Sequence, residues 1–249
     1  MTGTLRMRAV AGIMGCAMSV LAYGQTAPLP SYAFTKAAVV AGARIFASHC
    51  SACHAVSSLR YQRLSGDLGL TPAFIKKEIM LPSGAHYLQG MHPVMTEAQA
   101  IKWFGMAPPN LSHVVRAQGA GWIYRYLTSF YWDPKRPSGW NNHVFPQVAM
   151  PDVLAPWGGT YAKDGRMISP GREPKATYQR QVADVVAFLR YASDPSIFER
   201  RALGRYVLGT LILLSIVSYL LKKEYWKDVK PNGDEASQKP RDRAGTKKS

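Results

Sequence analysis

The sequence predicts a mainly α-helical domain with long irregular inserts, carried on one C-terminal transmembrane helix. Three observations predict it. Val39, Gly42, Ala43 and Phe46 recur at i, i+3, i+4, i+7, and Val182, Val185, Val186 and Leu189 repeat the pattern late in the chain. Cys50-Ser51-Ala52-Cys53-His54 follows directly on the first stripe. Leu203 to Leu221 is a run of 19 residues whose only formal charge is Arg205.

The two stripes carry architecture rather than chemistry. Each is an amphipathic helix that buries one face, and together they predict a crossing of an early and a late helix. Gly42 would let the backbones approach there, with Phe188 and Tyr191 filling in. Further helices are expected over Glu97–Phe104 and Gly121–Phe130. Between Tyr131 and Arg180 the chain is rich in Pro, Gly, Asn and Trp and has little periodicity. An irregular stretch of that length with so many aromatics is expected to be ordered around a functional group.

Cys50 to His54 forms a C-x-x-C-H run, the attachment signature of a c-type haem. Two thiols at this spacing can each form a thioether to one edge of a porphyrin, which sets the next histidine beneath the iron as proximal ligand. A thioredoxin-like C-x-x-C would need a βαβ context and gains nothing from the histidine. A zinc site would need further ligands, and the third cysteine, Cys16, lies far away.

Composition sets the compartment. The 249 residues are 47% hydrophobic with a formal net charge of +16. Residues 1–24 read as a secretory signal: Arg6 and Arg8 are followed by an apolar run over about Ala9–Leu21, with small residues at Ala22-Tyr23-Gly24. Cys16 lies in that run within Ile13-Met14-Gly15-Cys16, faintly like a lipoprotein box. Hydrophobic residues continue past it, so ordinary cleavage is expected. Residues 25–200 are then the exported haem domain, in a bacterial-type periplasm. The Leu203–Leu221 run spans about 28 Å as a helix, close to the hydrocarbon thickness of a bilayer. Lys222, Lys223 and Lys227 follow it, with Tyr225 and Trp226 as interface anchors. An exported domain ahead of this span leaves residues 222–249 in the cytoplasm. The expected protein crosses the inner (cytoplasmic) membrane once and meets its lipid; no nucleic acid is expected as a partner.

A haem with one protein ligand binds small molecules, whereas one with two mainly moves electrons. Met80, Met91, Met95, Met106, Met150 and Met167 are candidate sixth ligands, beside several histidines. Met80, Met91 and Met95 fall in a polar, turn-rich insert with nothing to distinguish them. Met150 lies in Phe145-Pro146-Gln147-Val148-Ala149-Met150-Pro151, where prolines stiffen an extended segment able to present a thioether. The residues alone leave the choice between ligand and core filler open.

Cys50-Ser-Ala-Cys-His54 with Ser58-Leu-Arg-Tyr61-Gln-Arg63, Ala107-Pro-Pro-Asn-Leu-Ser112, Trp140-Asn-Asn-His-Val-Phe-Pro-Gln-Val-Ala-Met-Pro151 and Val185-Val-Ala-Phe-Leu-Arg-Tyr191 resembles, in order, the cytochrome c1 family. The resemblance implies a class I cytochrome c-like core with one covalent haem c. Cys50 and Cys53 would attach it, His54 and Met150 would ligate the iron, and Pro109 and Leu111 would line the pocket. It also implies membership of the bc1 complex, ubiquinol–cytochrome c reductase. There the chain would take electrons from the Rieske iron–sulfur protein beside cytochrome b and pass them to a c-type cytochrome. The polypeptide itself would break no bonds, and any enzymatic activity belongs to the whole complex. Two departures stand out. The family usually has an acid where Asn110 stands, and it tends to carry two downstream arginines, one facing a haem propionate. Here Arg116 fills the first position, as the expected cofactor contact, and Gln118 replaces the second.

Two rivals remain at this level. One is a free-standing anchored cytochrome c shuttle; the other is an open-site haem peroxidase or gas sensor using His113 or His143. Charge points to the acceptor. Residues 25–200 hold 7 Lys and 11 Arg against 10 acidic residues, a net +8. That balance predicts an acidic or near-neutral periplasmic cytochrome as electron acceptor.

Overall fold

The computed structural model describes residues 34–81 and 84–227. The segment expected to be a signal and most of the expected tail lie outside these residues. The chain divides into two compact units, Met1–Ser196 and Ile197–Ser249.

Helices dominate the first unit. α1, Lys36–Ile45, starts where the Thr35 hydroxyl accepts from Ala38 N. It passes into a π-helical turn, Phe46–Cys50, closed by Ser51 N donating to Phe46 O at 2.9 Å. After β1 (Val56–Arg60) come α2 (Tyr61–Leu68), α3 (Pro72–Glu78) and β2 (Gly90–Met91). α4, Glu97–Phe104, opens on a reciprocal capping box between Thr96 and Gln99. Then follow α5 (Val114–Gln118), α6 (Ala120–Thr128), β3 (Phe130–Trp132), β4 (Trp140–Asn142), α7 (Ala155–Gly158), β5 (Thr160–Tyr161), β6 (Met167–Ser169) and α8 (Lys175–Ser193). The strands form three separate antiparallel pairs, β1 with β2, β3 with β4 and β5 with β6.

The two predicted stripes meet as expected. α1 crosses α8 so closely at Gly42 that an added Cβ would fall 1.8 Å from the Asp184 carbonyl oxygen. Phe46 and Phe188 pack beside this crossing with ring centroids 5.1 Å apart. Val39, Ala43, Val182, Val185 and Val186 are buried along the seam. Tyr191 is also buried, and its hydroxyl donates to Asp67 Oδ2 at 2.7 Å.

Two details differ from the sequence reading. The helix expected over Gly121–Phe130 stops at Thr128, because Phe130, Tyr131 and Trp132 pair with Asn142, Asn141 and Trp140. The stretch after the haem motif is not featureless. It holds α2 and α3, and Met91 on β2 is buried against Val56 on β1.

The second unit contains α9, Ile197–Tyr225, a 29-residue helix whose best window has a mean hydropathy of 1.7. It is long and apolar enough to cross a membrane. Its leucine, isoleucine and valine side chains from Leu203 to Leu221 are exposed all round, as a lipid-facing helix requires.

Candidate haem-binding site

The π turn delivers Cys50 to the wall of a large cavity in the first unit. The next turn is closed by Cys53 N and His54 N, which donate to Cys50 O at 3.1 and 2.9 Å. Two distant segments pin this turn. Met95 N donates to Ala52 O at 2.9 Å, and Leu111 N donates to Ala55 O at 2.8 Å. The cavity has a volume of about 730 Å³, within the usual range for cofactor sites. Cys50, Cys53, His54 and Met150 all line it, as do Pro109 and Leu111.

The His54 ring is held by a hydrogen bond from Nδ1 to the Pro109 carbonyl at 2.9 Å. That bond fixes the tautomer with Nε2 bare, the form an iron ligand needs. Burial also pushes the His54 pKa down, partly offset by the Pro109 carbonyl. Burial, with the neighbouring Cys53, pushes the Cys50 thiol up to about 12, and burial raises Cys53 too. Both thiols therefore stay neutral, as suits an apolar pocket.

The Pro109 carbonyl is set by its neighbours. Asn110 Oδ1 accepts from Ser112 N at 3.0 Å and Ser112 Oγ at 2.7 Å, while its Nδ2 donates to Ser57 Oγ. The donation to Ser57 is one that the family's usual carboxylate could not make.

Met150 reaches the cavity from the loop after β4. The Tyr126 hydroxyl on α6 donates to its sulfur at 3.5 Å. Trp122 stacks on Tyr126 at 5.2 Å and 8°, so one face of α6 forms an aromatic wall. Burial and the nearby Asp152 push the Tyr126 pKa up to about 12, which keeps its hydroxyl a donor. Phe46, Val185 and Leu189 at the α1–α8 crossing supply another part of the lining.

No Lys, Arg, Asp or Glu lines this cavity among the described residues. Two thiols able to form thioethers to a porphyrin edge, with an oriented imidazole and a methionine sulfur as donors in an uncharged pocket, are the set that haem c requires. The residues present fit the group.

Arg116 stands apart from the other expected contacts. It is absent from the lining, and its guanidinium lies 3.7 Å from Asp194 Oδ1. Gln118 does line the cavity. His143 packs on Tyr131, with centroids 4.6 Å apart. His113 lines the cavity, with Nε2 3.4 Å from Ser58 Oγ. Sequence reasoning missed Tyr126 and Trp122; their i, i+4 spacing on an apolar helix was the available signal.

The Cytochrome C1 family profile matches residues 85–229, more than half of the chain. A cytochrome c1 of Allochromatium vinosum is 38% identical over 209 residues, covering 78% of this chain and 85% of the relative. A Nitrosomonas europaea protein named ammonia monooxygenase gamma subunit is 38% identical over 199 residues, covering 78% of this chain and 84% of the relative. The mitochondrial cytochrome c1 haem protein of Schizosaccharomyces pombe is 28% identical over 221 residues, covering 79% and 69%. With a matching profile over more than half of its length and 38% identity to a cytochrome c1 across most of both sequences, this chain belongs to the cytochrome c1 family, the haem c-bearing, membrane-anchored electron-transfer subunits of the bc1 complex.

Proposed function

We propose that the chain takes single electrons from the Rieske iron–sulfur protein and passes them to a c-type cytochrome, using one haem c held by Cys50, Cys53, His54 and Met150. The observation that carries this reading is the convergence of those four side chains on one uncharged cavity. Bound there, the haem supplies a one-electron iron couple. The chain does the rest. Cys50 and Cys53 fix one edge of the group, and the Pro109 carbonyl holds His54 in the coordinating tautomer. Met150 would offer the iron a soft sulfur, which would favour the ferrous state and raise the potential, as an acceptor downstream of an iron–sulfur cluster needs. The apolar lining keeps water out and disfavours the extra positive charge of the ferric state. With both His54 and Met150 as ligands the iron would have no position free for peroxide or a gas, which argues against the sensor reading.

The same reading takes residues 1–24 as a cleaved signal, 25–200 as a periplasmic haem domain, 203–221 as the anchor and 222–249 as a cytoplasmic tail. It rests on the N-terminal charge pattern and the apolar α9. The acceptor is acidic or near-neutral, because residues 25–200 carry a net +8.

Purification from mildly solubilised membranes tests the function. A b-type cytochrome and a Rieske protein should copurify, and a quinol pulse should reduce the haem c only while the Rieske protein is present. Haem c purified alone would point to the free-standing shuttle. Copurification with a monooxygenase would favour the role named for the Nitrosomonas europaea relative.

A further inference from the structure

Between the end of β4 at Asn142 and the start of α7 at Ala155 there is no regular element, so Met150 hangs from a loop. The polar backbone groups of such a loop need partners. The β3–β4 hairpin supplies them. Asn142, buried, accepts from Val144 N and Phe145 N at 2.8 and 3.1 Å. Its Nδ2 donates at 2.8 Å to the carbonyl of Tyr126, the residue whose hydroxyl reaches the Met150 sulfur. Asn141, also buried, accepts from Gln147 N at 2.8 Å and is steadied by donating to Asp133 Oδ2 at 2.9 Å. Arg136, in the hairpin turn, donates from Nη2 to the Gln147 carbonyl at 2.8 Å and the Val148 carbonyl at 3.4 Å.

Gln147 is therefore held by both of its backbone groups. It is also the one non-glycine residue among the described residues with positive φ, at 63°. A residue with a Cβ adopts that conformation uncommonly and at some cost, which surrounding contacts must offset. Three residues downstream is Met150.

We propose that Arg136, Asn141 and Asn142 are positioning residues for the Met150 thioether: the hairpin grips the strained Gln147 turn and so keeps the sixth ligand on the cavity. Arg136 does this without lining the cavity itself. Released, the Gln147 turn relaxes toward negative φ, and the residues after it swing away from α6. The proposal rests on the reading of Met150 as the iron ligand.

The test uses the full-length, haem-loaded chain. Arg136→Gln removes the charged donor while keeping a polar side chain. Covalent haem content should stay at the wild-type level, because Cys50, Cys53 and His54 are untouched. Cyanide, which enters only when the thioether leaves, should bind the ferric form about tenfold faster or more, the size expected from losing a hydrogen bond to a charged donor. The weak far-red sulfur-to-iron band should fade in parallel. Arg136→Lys keeps the charge and one donor and should fall between; it is also the variant to read if Arg136→Gln fails to accumulate. Wild-type cyanide rates in these variants overturn the proposal. Met150→Leu separates the two levels: it should abolish the band outright, and a band that survives in Met150→Leu strikes the ligand assignment itself.

Discussion

Replacing Gly42 by alanine puts a methyl group where α8 already stands. The new Cβ would fall 1.8 Å from the Asp184 carbonyl oxygen, 2.4 Å from its carbon and 3.0 Å from Phe188 Cβ. Ordinary contact begins near 3.4 Å, so the helices must part by about 1.6 Å. The obstacle is main chain within a 19-residue helix, so it cannot turn aside as a side-chain tip could. Alanine gains about 1 kcal/mol in helix preference over glycine. Overpacking costs about 1–3 kcal/mol, and a rigid wall sets this site at the upper end. The net loss is about 2 kcal/mol, or roughly 4–8 °C in Tm for a domain of this size.

Thermal unfolding of the haem-loaded protein, followed by circular dichroism, measures the loss. Gly66→Ala is the control. Gly66 also lies inside a helix, α2, but an added Cβ there meets nothing within 4 Å. It should raise stability by up to about 1 kcal/mol. Opposite signs for the two substitutions are the expected result. Equal or stabilising effects at both sites would refute the argument, because helix preference would then outweigh the crossing. The displacement should also reach the haem, since Phe46 on one side of the crossing and Val185 and Leu189 on the other line its cavity. A lower yield of covalent haem in Gly42→Ala is expected.

Three further outcomes are expected. Tyr191→Phe should cost about 1.5–3 kcal/mol at neutral pH through the lost hydrogen bond to the Asp67 carboxylate. Burial, then Asp67, raises the Tyr191 pKa above its ordinary 10, so above about pH 10 the unfolded tyrosine ionises first and stability falls with rising pH. Tyr191→Phe should flatten that fall by one proton, and an unchanged slope in alkaline denaturation would contradict the raised pKa. A chain ending near Ser196 should be soluble and carry haem, because every lining residue lies upstream; recovery only as membrane-bound apoprotein would move the boundary. Electron transfer to an acidic cytochrome should slow as salt rises, and a faster reaction with a strongly basic cytochrome at low salt would remove the charge argument.

What could be read from the sequence divides by the range of the interaction. The C-x-x-C-H motif, the two apolar stripes and the Glu97–Phe104 helix are signals contained in a few neighbouring residues. The structure brings each to the expected element. Gly42 was legible because a small residue inside an apolar stripe has few other uses. α2 and α3 were missed because each is short and buries little: Tyr61 and Leu64 on one, Ile75 on the other. The π turn has no composition signal of its own. The ion pair of Arg116 with Asp194 was not legible in the sequence either, since the two residues lie 78 positions apart.

Met150 and the residues that hold it sit on opposite sides of that divide. Its segment stood out because prolines constrain it locally, and the family resemblance then chose it among six methionines. Asn141, Asn142 and Arg136 look like ordinary polar loop residues, because their partners lie up to 16 positions away. Charge is partitioned in the same way. The domain is strongly basic, yet no Lys, Arg, Asp or Glu touches the cavity among the described residues. Surface charge, screened beyond about 8 Å at physiological salt, then acts on the approach of partners. On the proposed function, the uncharged lining and the held thioether would act on the iron. Asn110 belongs with the second group. It removes the family's negative charge from the pocket region while its amide keeps Ser57 and Ser112 bound, so the Pro109 carbonyl stays placed for His54 without a charge at the haem edge.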